Sequence, residues 1–127
     1  MPQKRIYIID DDPIYQLVTK KLIEKSNLFS ETKAFGNGNE ALHYFEITGD
    51  LPDVILLDIE MPGMDGWDFL DELLRIERSF HKEATIYVAS SSIATEDKIK
   101  AKNYHCVKDF LSKPINLEKL KVIASEE

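Results

Sequence analysis

The sequence predicts a doubly wound α/β fold, with five parallel strands in one sheet and helices on both faces. Short β-branched apolar runs alternate with longer amphipathic segments along the chain, as in βα units joined by right-handed crossovers. Residues 54–57 are apolar at every position, as a central parallel strand requires because both of its faces are covered. At 127 residues, without a repeat or a linker, the chain is predicted to be a single domain, 1–127.

An acidic segment separates the first strand from the first helix. Residues 5–9 form a β-branched and aromatic run that stops at three consecutive aspartates, Asp10, Asp11 and Asp12. Pro13 suits the first turn of a helix, and Asp12 can cap that helix. The predicted helix places its apolar residues at helical spacing and turns its charged residues away. These apolar residues are Ile14, Leu17, Val18 and Leu22.

The second strand and helix give a weaker pattern. Residues 31–35 mix apolar and polar side chains, which predicts a strand at the edge of the sheet, and the glycines of 36–38 end it. Either Asn37 or Asn39 caps the helix that follows. Its apolar residues are Ala41, Leu42, Phe45 and Ile47. A break at 49–52 leads into the third strand, 53–58.

Three helices and two strands complete the alternation. Residues 84–89 predict a buried strand that ends in three serines, and 107–111 predict a fifth strand leading to Lys113. A mostly polar helix opens at Thr95 and runs through Ile99 and Tyr104. The apolar positions of the third helix are Phe69, Leu70, Leu73, Leu74 and Ile76. Those of the closing helix are Leu117, Leu120, Val122 and Ile123.

Composition excludes several classes of protein. The formal net charge is −7, whereas a domain that binds nucleic acid usually carries a basic face. Cys106 is the only cysteine, so neither an internal disulfide nor a thiolate metal cluster is possible. We predict that Cys106 is simply a small side chain packed near a strand. No apolar run reaches the ~20 residues of a membrane helix, and the N-terminus does not resemble a signal peptide. We therefore expect a cytoplasmic protein that binds neither nucleic acid nor membrane.

Four of the predicted strands end in polar residues. The carboxyl ends of parallel strands meet at one edge of a sheet, so we expect Asp10, Asp11, Asp58, Ser90 and Lys113 to lie together. Two carboxylates ~4 Å apart repel by about 4 kcal/mol at an effective dielectric of 20, so such a cluster needs a cation or a proton. Hard oxygen ligands without Cys or His favour Mg²⁺, Mn²⁺ or Ca²⁺ over Zn²⁺.

Each of these groups also has a purely structural interpretation. Asp10 and Asp12 can cap a helix, and for Asp12 this is the better interpretation. A lysine before a proline, such as Lys113, has an extended backbone and most often reaches solvent. Ser90 can belong to a loop that caps the next helix. Capping does not explain Asp58, because a charged side chain at the end of the most buried strand needs a partner.

Taken together, three segments resemble the receiver domain of bacterial response regulators, and the match covers nearly the whole chain. Residues 56–66, Leu-Leu-Asp-Ile-Glu-Met-Pro-Gly-Met-Asp-Gly, resemble the stretch around the phosphoacceptor aspartate. Residues 8–13, Ile-Ile-Asp-Asp-Asp-Pro, resemble the acidic pair that closes the first strand. Residues 110–115, Phe-Leu-Ser-Lys-Pro-Ile, resemble the strand that carries the invariant lysine. The resemblance implies a flavodoxin-like (βα)5 fold and two-component signal transduction.

The resemblance also implies the metal site. Asp58 would be the nucleophile and phosphoacceptor. Asp11 and Asp58 would bind Mg²⁺, or Mn²⁺, through their carboxylates. Asp10 would act mainly through water, and Glu60 would contribute its backbone carbonyl.

The remaining implied roles concern the phosphoryl group and the response to it. Ser90, with Ser91 as the alternative, would bind a phosphoryl oxygen, and Lys113 would be the paired lysine. Phe110 would be the aromatic switch residue, although a plain core aromatic is nearly as good an interpretation. The Lys113–Pro114 peptide bond is expected to be cis.

The implied function is a switch rather than a turnover enzyme. A histidine kinase or histidine phosphotransfer protein would donate the phosphoryl group, and the domain, a monomer or weak dimer, would signal to a downstream protein. A haloacid-dehalogenase phosphatase would use Asp10 as nucleophile and Asp12 as acid–base, but Pro13-Ile14 does not resemble what normally follows that motif, and the chain is short for that fold. A flavodoxin-like cofactor carrier would need a phosphate cradle where the aspartates stand. A pseudo-receiver, which has the same fold but serves only for protein contacts, would not need the complete set of Asp10, Asp11, Asp58, Ser90 and Lys113.

Overall fold

Ten elements alternate along the chain in the computed structural model, which describes residues 3–80, 82–91 and 94–126. The strands are β1 (Lys4–Ile9), β2 (Phe29–Phe35), β3 (Val54–Leu57), β4 (Thr85–Ser90) and β5 (Val107–Ser112). The helices are α1 (Pro13–Ser26), α2 (Gly38–Thr48), α3 (Gly66–Glu77), α4 (Thr95–Ala101) and α5 (Leu117–Ser125). The predicted alternation of strands and helices is confirmed.

One parallel sheet carries the strands in the order β2-β1-β3-β4-β5. The chain direction across the sheet reverses between β1 and β3, which makes their carboxyl ends the topological switch point. Ile9 pairs with Leu57 at the last position of these two strands. Asp10 and Asp58, which follow them, therefore emerge side by side. The predicted edge position of β2 is confirmed.

The sheet is covered on both faces, and each face has its own core cluster. Alternate residues of β3 point in opposite directions, so Ile55 and Leu57 belong to one cluster and Leu56 to the other. The first core cluster includes Phe45 of α2, Phe69 of α3 and Ala101 of α4. The second core cluster includes Ile23 of α1 and Leu120 and Ile123 of α5. The helices are thus divided between the two faces, as the doubly wound prediction requires.

Side-chain caps determine where α1 and α2 begin. Asp12 accepts hydrogen bonds from the backbone N–H groups of Ile14 (2.9 Å) and Tyr15 (3.2 Å), which confirms the predicted cap. Asn37, rather than Asn39, caps α2, because its side chain accepts from the N–H of Glu40 at 2.8 Å. Each cap satisfies N–H groups that have no partner within the helix.

The predicted apolar face of α1 is wrong at three of its four positions, whereas the fourth, Leu22, packs against the second core cluster as predicted. Ile14, Leu17 and Val18 are 73%, 55% and 60% exposed. The side that faces the second core cluster consists of Tyr15, Thr19, Leu22 and Ile23. These positions also follow a helical repeat, but Thr19 hides it in the sequence because a polar residue occupies a buried position.

Three other predicted apolar positions also lie at the surface. Ile47 of α2 is 70% exposed, and Leu117 and Val122 of α5 are 40% and 56% exposed. Helix α4 is shorter than predicted, because it ends at Ala101 and the chain turns there. Tyr104 follows that turn and stacks on Trp67 with ring centroids 5.3 Å apart.

Two other expectations concern single residues and membrane spans. Cys106 is buried in the first core cluster beside β5, as predicted. Among the helices in the described ranges, none has the length and apolar content that a bilayer crossing requires.

Candidate functional site

Backbone hydrogen bonds extend the sheet by one residue at the carboxyl ends of its strands. The N–H of Asp58 donates to the carbonyl of Ile9 at 3.0 Å. The N–H of Lys113 donates to the carbonyl of Ser90 at 2.9 Å. The side chains that follow β1, β3 and β5 therefore leave a regular, hydrogen-bonded backbone at one rim of the sheet, where they are held in fixed positions.

Three carboxylates meet at this rim. Asp10, Asp11 and Asp58 each offer an oxygen within 4.8 Å of the others. Asp10 and Asp58 are 1% and 7% exposed, whereas Asp11 is exposed to solvent. The cluster is thus buried on the side of the sheet and open on the side of Asp11, so a small ligand can reach it from solvent.

Lys113 is the cation of the site. Its Nζ lies 2.6 Å from Oδ2 of Asp10 and 3.6 Å from Oδ2 of Asp58. One ammonium group facing three carboxylates leaves two negative charges without a partner in the cluster. A divalent cation would supply that missing charge.

The pKa values of Asp58 and Lys113 reflect this arrangement. Burial raises the pKa of Asp58 to about 6; the ammonium of Lys113 opposes this shift, and the carboxylates of Asp10 and Asp11 add to it. Burial alone would lower the pKa of Lys113, but its hydrogen bond and charge interaction with Asp10 outweigh burial and raise it. Lys113 therefore stays protonated, whereas Asp58 loses its proton at a higher pH than an ordinary aspartate does.

The donor set at the rim fits a hard divalent cation. All the side-chain donors of the cluster are carboxylate oxygens, which suit Mg²⁺ or Mn²⁺. Mg²⁺ usually takes one or two protein carboxylates and completes its octahedron with water and phosphate oxygens. The exposed Asp11 and the open side of the cluster allow this kind of binding.

The other predicted site residues follow Asp58 in the chain or lie on β4 and β5. Glu60 is exposed, and its backbone N–H donates to Oδ1 of Asp58 at 3.2 Å. Ser90 is buried at the end of β4, whereas Ser91 is exposed, which favours Ser90 as the inner hydroxyl. Phe110 lies in β5, partly buried against the first core cluster. The Lys113–Pro114 peptide bond is cis, as expected.

Asp12 stands apart from the cluster. It is exposed, and its side chain caps α1. A phosphatase that used Asp10 as nucleophile and Asp12 as acid–base would need both groups at the reacting centre. Instead, Asp10 is paired with Lys113 and Asp12 with backbone N–H groups, so the geometry does not favour that alternative.

Two residues at the start of α1 were not predicted to belong to the site. The ring centroid of Tyr15 lies 4.2 Å from Nζ of Lys113. The side-chain amide of Gln16 donates to the carbonyl of Asp10, and at 3.2 Å to the carbonyl of Phe35. The spacing of Tyr15, Thr19 and Ile23 by four residues could have indicated that this side of α1 faces inwards.

Comparison with known proteins assigns the family. The family model described as "Response regulator receiver domain" matches residues 6–125 of this chain. A protein-glutamate methylesterase/protein-glutamine glutaminase from Syntrophomonas wolfei is 33% identical over 127 residues, covering 100% of this chain and 34% of that protein. A probable C4-dicarboxylate response regulator, DctR, from Halalkalibacterium halodurans is 32% identical over 126 residues, covering 98% of this chain and 51% of that protein. The chain thus spans a third to a half of the length of these two curated relatives.

Solved structures agree with this assignment. A two-component response regulator from Cytophaga hutchinsonii is 25% identical with a TM-score of 0.85, covering 97% of this chain and 95% of that chain. The receiver domain of the histidine kinase CKI1 from Arabidopsis thaliana, complexed with Mg²⁺ and BeF3⁻, is 26% identical with a TM-score of 0.78, covering 97% and 91%. These similarities confirm the predicted flavodoxin-like fold. The chain therefore belongs to the response regulator receiver domain family of two-component signal transduction.

Proposed function

We propose that Asp58 of this chain accepts a phosphoryl group and that the phosphorylated domain signals to another protein. The observation that carries the proposal is the position of the Asp58 carboxylate. It lies at the open rim of the sheet, 3.6 Å from the ammonium of Lys113 and beside two further carboxylates. Phosphoryl transfer depends mainly on positioning and on cations around the spreading negative charge. The rim holds the Asp58 carboxylate in place and supplies one cation, the ammonium of Lys113.

Asp11 and Asp58 would hold a Mg²⁺ or Mn²⁺ ion through their carboxylates, with Asp10 acting through water and Glu60 through its backbone carbonyl. When bound, the ion supplies positive charge that stabilises the phosphoryl oxygens. The surplus of two negative charges supports this proposal, as does the presence of Mg²⁺ in the similar CKI1 receiver domain.

The chain's own residues would carry the transfer. A carboxylate oxygen of Asp58 forms the new bond to phosphorus, the bond to the donor histidine breaks, and the leaving imidazole takes up a proton. Lys113, kept protonated by Asp10, contributes one N–H to a phosphoryl oxygen. The N–H of Glu60, already donating to Oδ1 of Asp58, orients the carboxylate for attack.

The response to phosphorylation would pass through β4 and β5. Ser90 is buried at the end of β4, the strand beside β3, and would donate its hydroxyl to a phosphoryl oxygen. Phe110, opposite Val88 in the register, would then rotate inwards as the aromatic switch. The surface around α4 would change as a result, with phosphorylation shifting a pre-existing equilibrium between two conformations.

The finer assignments follow from this mechanism. The phosphoryl donor would be a histidine kinase or a histidine phosphotransfer protein, and the output would be a protein partner. We expect a single cytoplasmic receiver domain, monomeric or weakly dimeric, that promotes its own phosphorylation and dephosphorylation without turning over a substrate. The net charge of −7 supports a protein partner rather than nucleic acid.

The test is phosphorylation by a small phosphodonor. The protein is incubated with Mg²⁺ and acetyl phosphate, its intact mass is measured, and the modified residue is mapped. We expect one Mg²⁺-dependent phosphoryl group on Asp58 and none on the Asp58→Asn variant. Asp12→Asn is the matched control, because asparagine can also cap a helix and Asp12 lies outside the cluster.

Other outcomes would contradict specific parts of the proposal. Phosphorylation that persists in Asp58→Asn and disappears in Asp12→Asn would instead favour phosphatase-like chemistry at the start of α1. A folded protein that neither binds Mg²⁺ nor accepts a phosphoryl group from any donor would be a pseudo-receiver.

A further inference from the structure

The ring of Tyr15 forms the wall of the site on the side of α1. Its centroid lies 4.2 Å from Nζ of Lys113, well inside the ~6 Å limit for attraction between a cation and an aromatic face. The corresponding distances for Arg5–Tyr7, Lys33–Tyr44 and Lys100–Trp67 are 6.0, 5.6 and 5.5 Å. The contact at the phosphoacceptor site is therefore the tightest of these four.

The start of α1 fixes the position of this ring. Asp12 accepts a hydrogen bond from the backbone N–H of Tyr15 at 3.2 Å, which holds the residue in the first turn. Tyr15 is partly buried against the second core cluster. Gln16, the next residue, donates to the backbone carbonyl of Asp10. The same turn of α1 thus holds the lysine through Tyr15 and the backbone of an aspartate through Gln16.

The Tyr15 ring acts on Lys113 as a neutral group. Burial raises the pKa of Tyr15, although the ammonium of Lys113 opposes this, so the phenol keeps its proton at physiological pH. The attraction is between the ring face and the ammonium, not a further ion pair. Lys113 therefore contacts two carboxylates and one aromatic face.

We propose that Tyr15 is a positioning residue for Lys113, holding its ammonium group at the rim beside Asp58. A lysine side chain has four rotatable bonds, and ordering it costs conformational entropy. The ring lowers that cost before the phosphoryl group arrives, because it already restricts Lys113 to the site. The inference rests on the proposed function in so far as Lys113 binds a phosphoryl oxygen.

A purely structural role for Tyr15 predicts a different effect of replacing the ring by leucine. If the ring only filled space against the second core cluster, leucine would replace it almost as well, since leucine keeps much of the apolar bulk. Phenylalanine keeps the ring face and loses only the hydroxyl. The pair Tyr15→Phe and Tyr15→Leu therefore separates the two roles, provided that both variants show the thermal stability of a folded protein.

The first measurement does not depend on phosphorylation. Limited acetylation, followed by peptide mapping, gives the reaction rate of Lys113 in each variant. We expect wild type and Tyr15→Phe to react equally, and Tyr15→Leu to react about threefold faster or more, because a cation–π contact of ~0.7 kcal/mol or more is lost. Tyr44→Leu, which removes the contact with Lys33, is the matched control and should leave the rate at Lys113 unchanged.

The second measurement is the rate of phosphorylation by acetyl phosphate with Mg²⁺. Tyr15→Leu should be slower by about threefold to tenfold, and Tyr15→Phe should match wild type. In a Lys113→Met background, Tyr15→Leu should have no further effect, because the residue through which Tyr15 acts is gone.

Three results would overturn the inference: equal acetylation of Lys113 in wild type and Tyr15→Leu, a Tyr15→Phe variant as impaired as Tyr15→Leu, or an undiminished effect in the Lys113→Met background. If the expected acetylation pattern appears but wild type accepts no phosphoryl group, Tyr15 still holds Lys113 and only the proposed function fails. The two ideas are therefore tested separately.

Discussion

At the scale of single residues, the site contains more negative charge, on three carboxylates, than the single ammonium of Lys113 neutralises. Asp10 and Asp58 are almost fully buried, and Lys113 offers one positive charge to both. Asp10 has the closer partner, at 2.6 Å, while Asp58 is left with the weaker contact at 3.6 Å. Of the two buried carboxylates, Asp58 is therefore the one whose charge Lys113 compensates less, which suits a group that binds a cation and a phosphoryl group.

This imbalance predicts that Asp58→Asn stabilises the metal-free protein. Replacing the carboxylate removes a buried charge close to Asp10 and Asp11 and leaves the pair of Asp10 with Lys113 intact. In EDTA at pH 7.5 we expect a free energy of unfolding about 1–2 kcal/mol above wild type, measured by urea denaturation. Added Mg²⁺ should stabilise wild type more than the variant, because the variant lacks a ligand. A variant less stable than wild type in EDTA would contradict this account.

At the scale of elements, helix ends hold the strands in place. Helix α3 ends at Glu77, whose Oε1 accepts a hydrogen bond from the backbone N–H of Ala84, just before β4, at 3.2 Å. The side chain of Glu77 is buried. Burial raises its pKa, the hydrogen bond from Ala84 and the nearby His105 oppose the shift, and Glu83 adds to it. The carboxylate thus bridges two elements at an electrostatic cost that depends on pH.

We predict that Glu77→Gln is more stable than wild type at neutral pH, because glutamine keeps the acceptor and removes the buried charge. The pKa of Glu77 is raised in the folded state, so its contribution to stability is complete below the usual pKa of glutamate and is lost as pH rises through the raised value. We expect an advantage of about 0.5–1.5 kcal/mol at pH 7.5 that disappears near pH 4. Urea midpoints from pH 4 to 8 measure it.

Glu72→Gln on the same helix is the control for this prediction. Its carboxylate is partly exposed and paired with Arg75 at the surface, so little change is expected. If the advantage of Glu77→Gln were independent of pH, the charge of Glu77 would not be its cause.

At the scale of the whole molecule, a single sheet separates the two core clusters and contributes strand residues to both of them. Every strand residue of β3 is buried, and successive residues enter opposite clusters. Trp67, the only tryptophan, belongs to the first core cluster. Because the same strands contribute residues to both core clusters, a destabilising substitution in one cluster should also destabilise the other.

We therefore predict a single cooperative unfolding transition, even when only one cluster is altered. Leu56→Ala removes side-chain volume from the second core cluster, and Ile55→Ala does so in the first. Each should lower the free energy of unfolding by about 2–5 kcal/mol. Tryptophan fluorescence reports the first core cluster and circular dichroism reports all helices, and their midpoints should coincide in both variants. Separate midpoints for Leu56→Ala would show that the two layers unfold independently.

Much of this molecule is predictable from local patterns. The alternation of elements, the central position of β3 and the cap at Asp12 follow from spacing and residue type, which act over a few neighbouring residues. The grouping of Asp10, Asp11, Asp58 and Lys113 also follows, because parallel strands end at the same edge.

Contacts between distant segments decided the rest. The order β2-β1-β3-β4-β5 is not encoded in any local repeat. On α1 the apolar residues at 14, 17 and 18 and the mixed set at 15, 19 and 23 both fit a helix, and only packing against the sheet selected the second set. That selection brought the ring of Tyr15 to Lys113 and left Ile14 exposed. The sequence by itself determined which elements form and which groups gather at the rim, whereas the tertiary structure decided which helix face is buried, because burial depends on the surfaces that meet and not on periodicity alone.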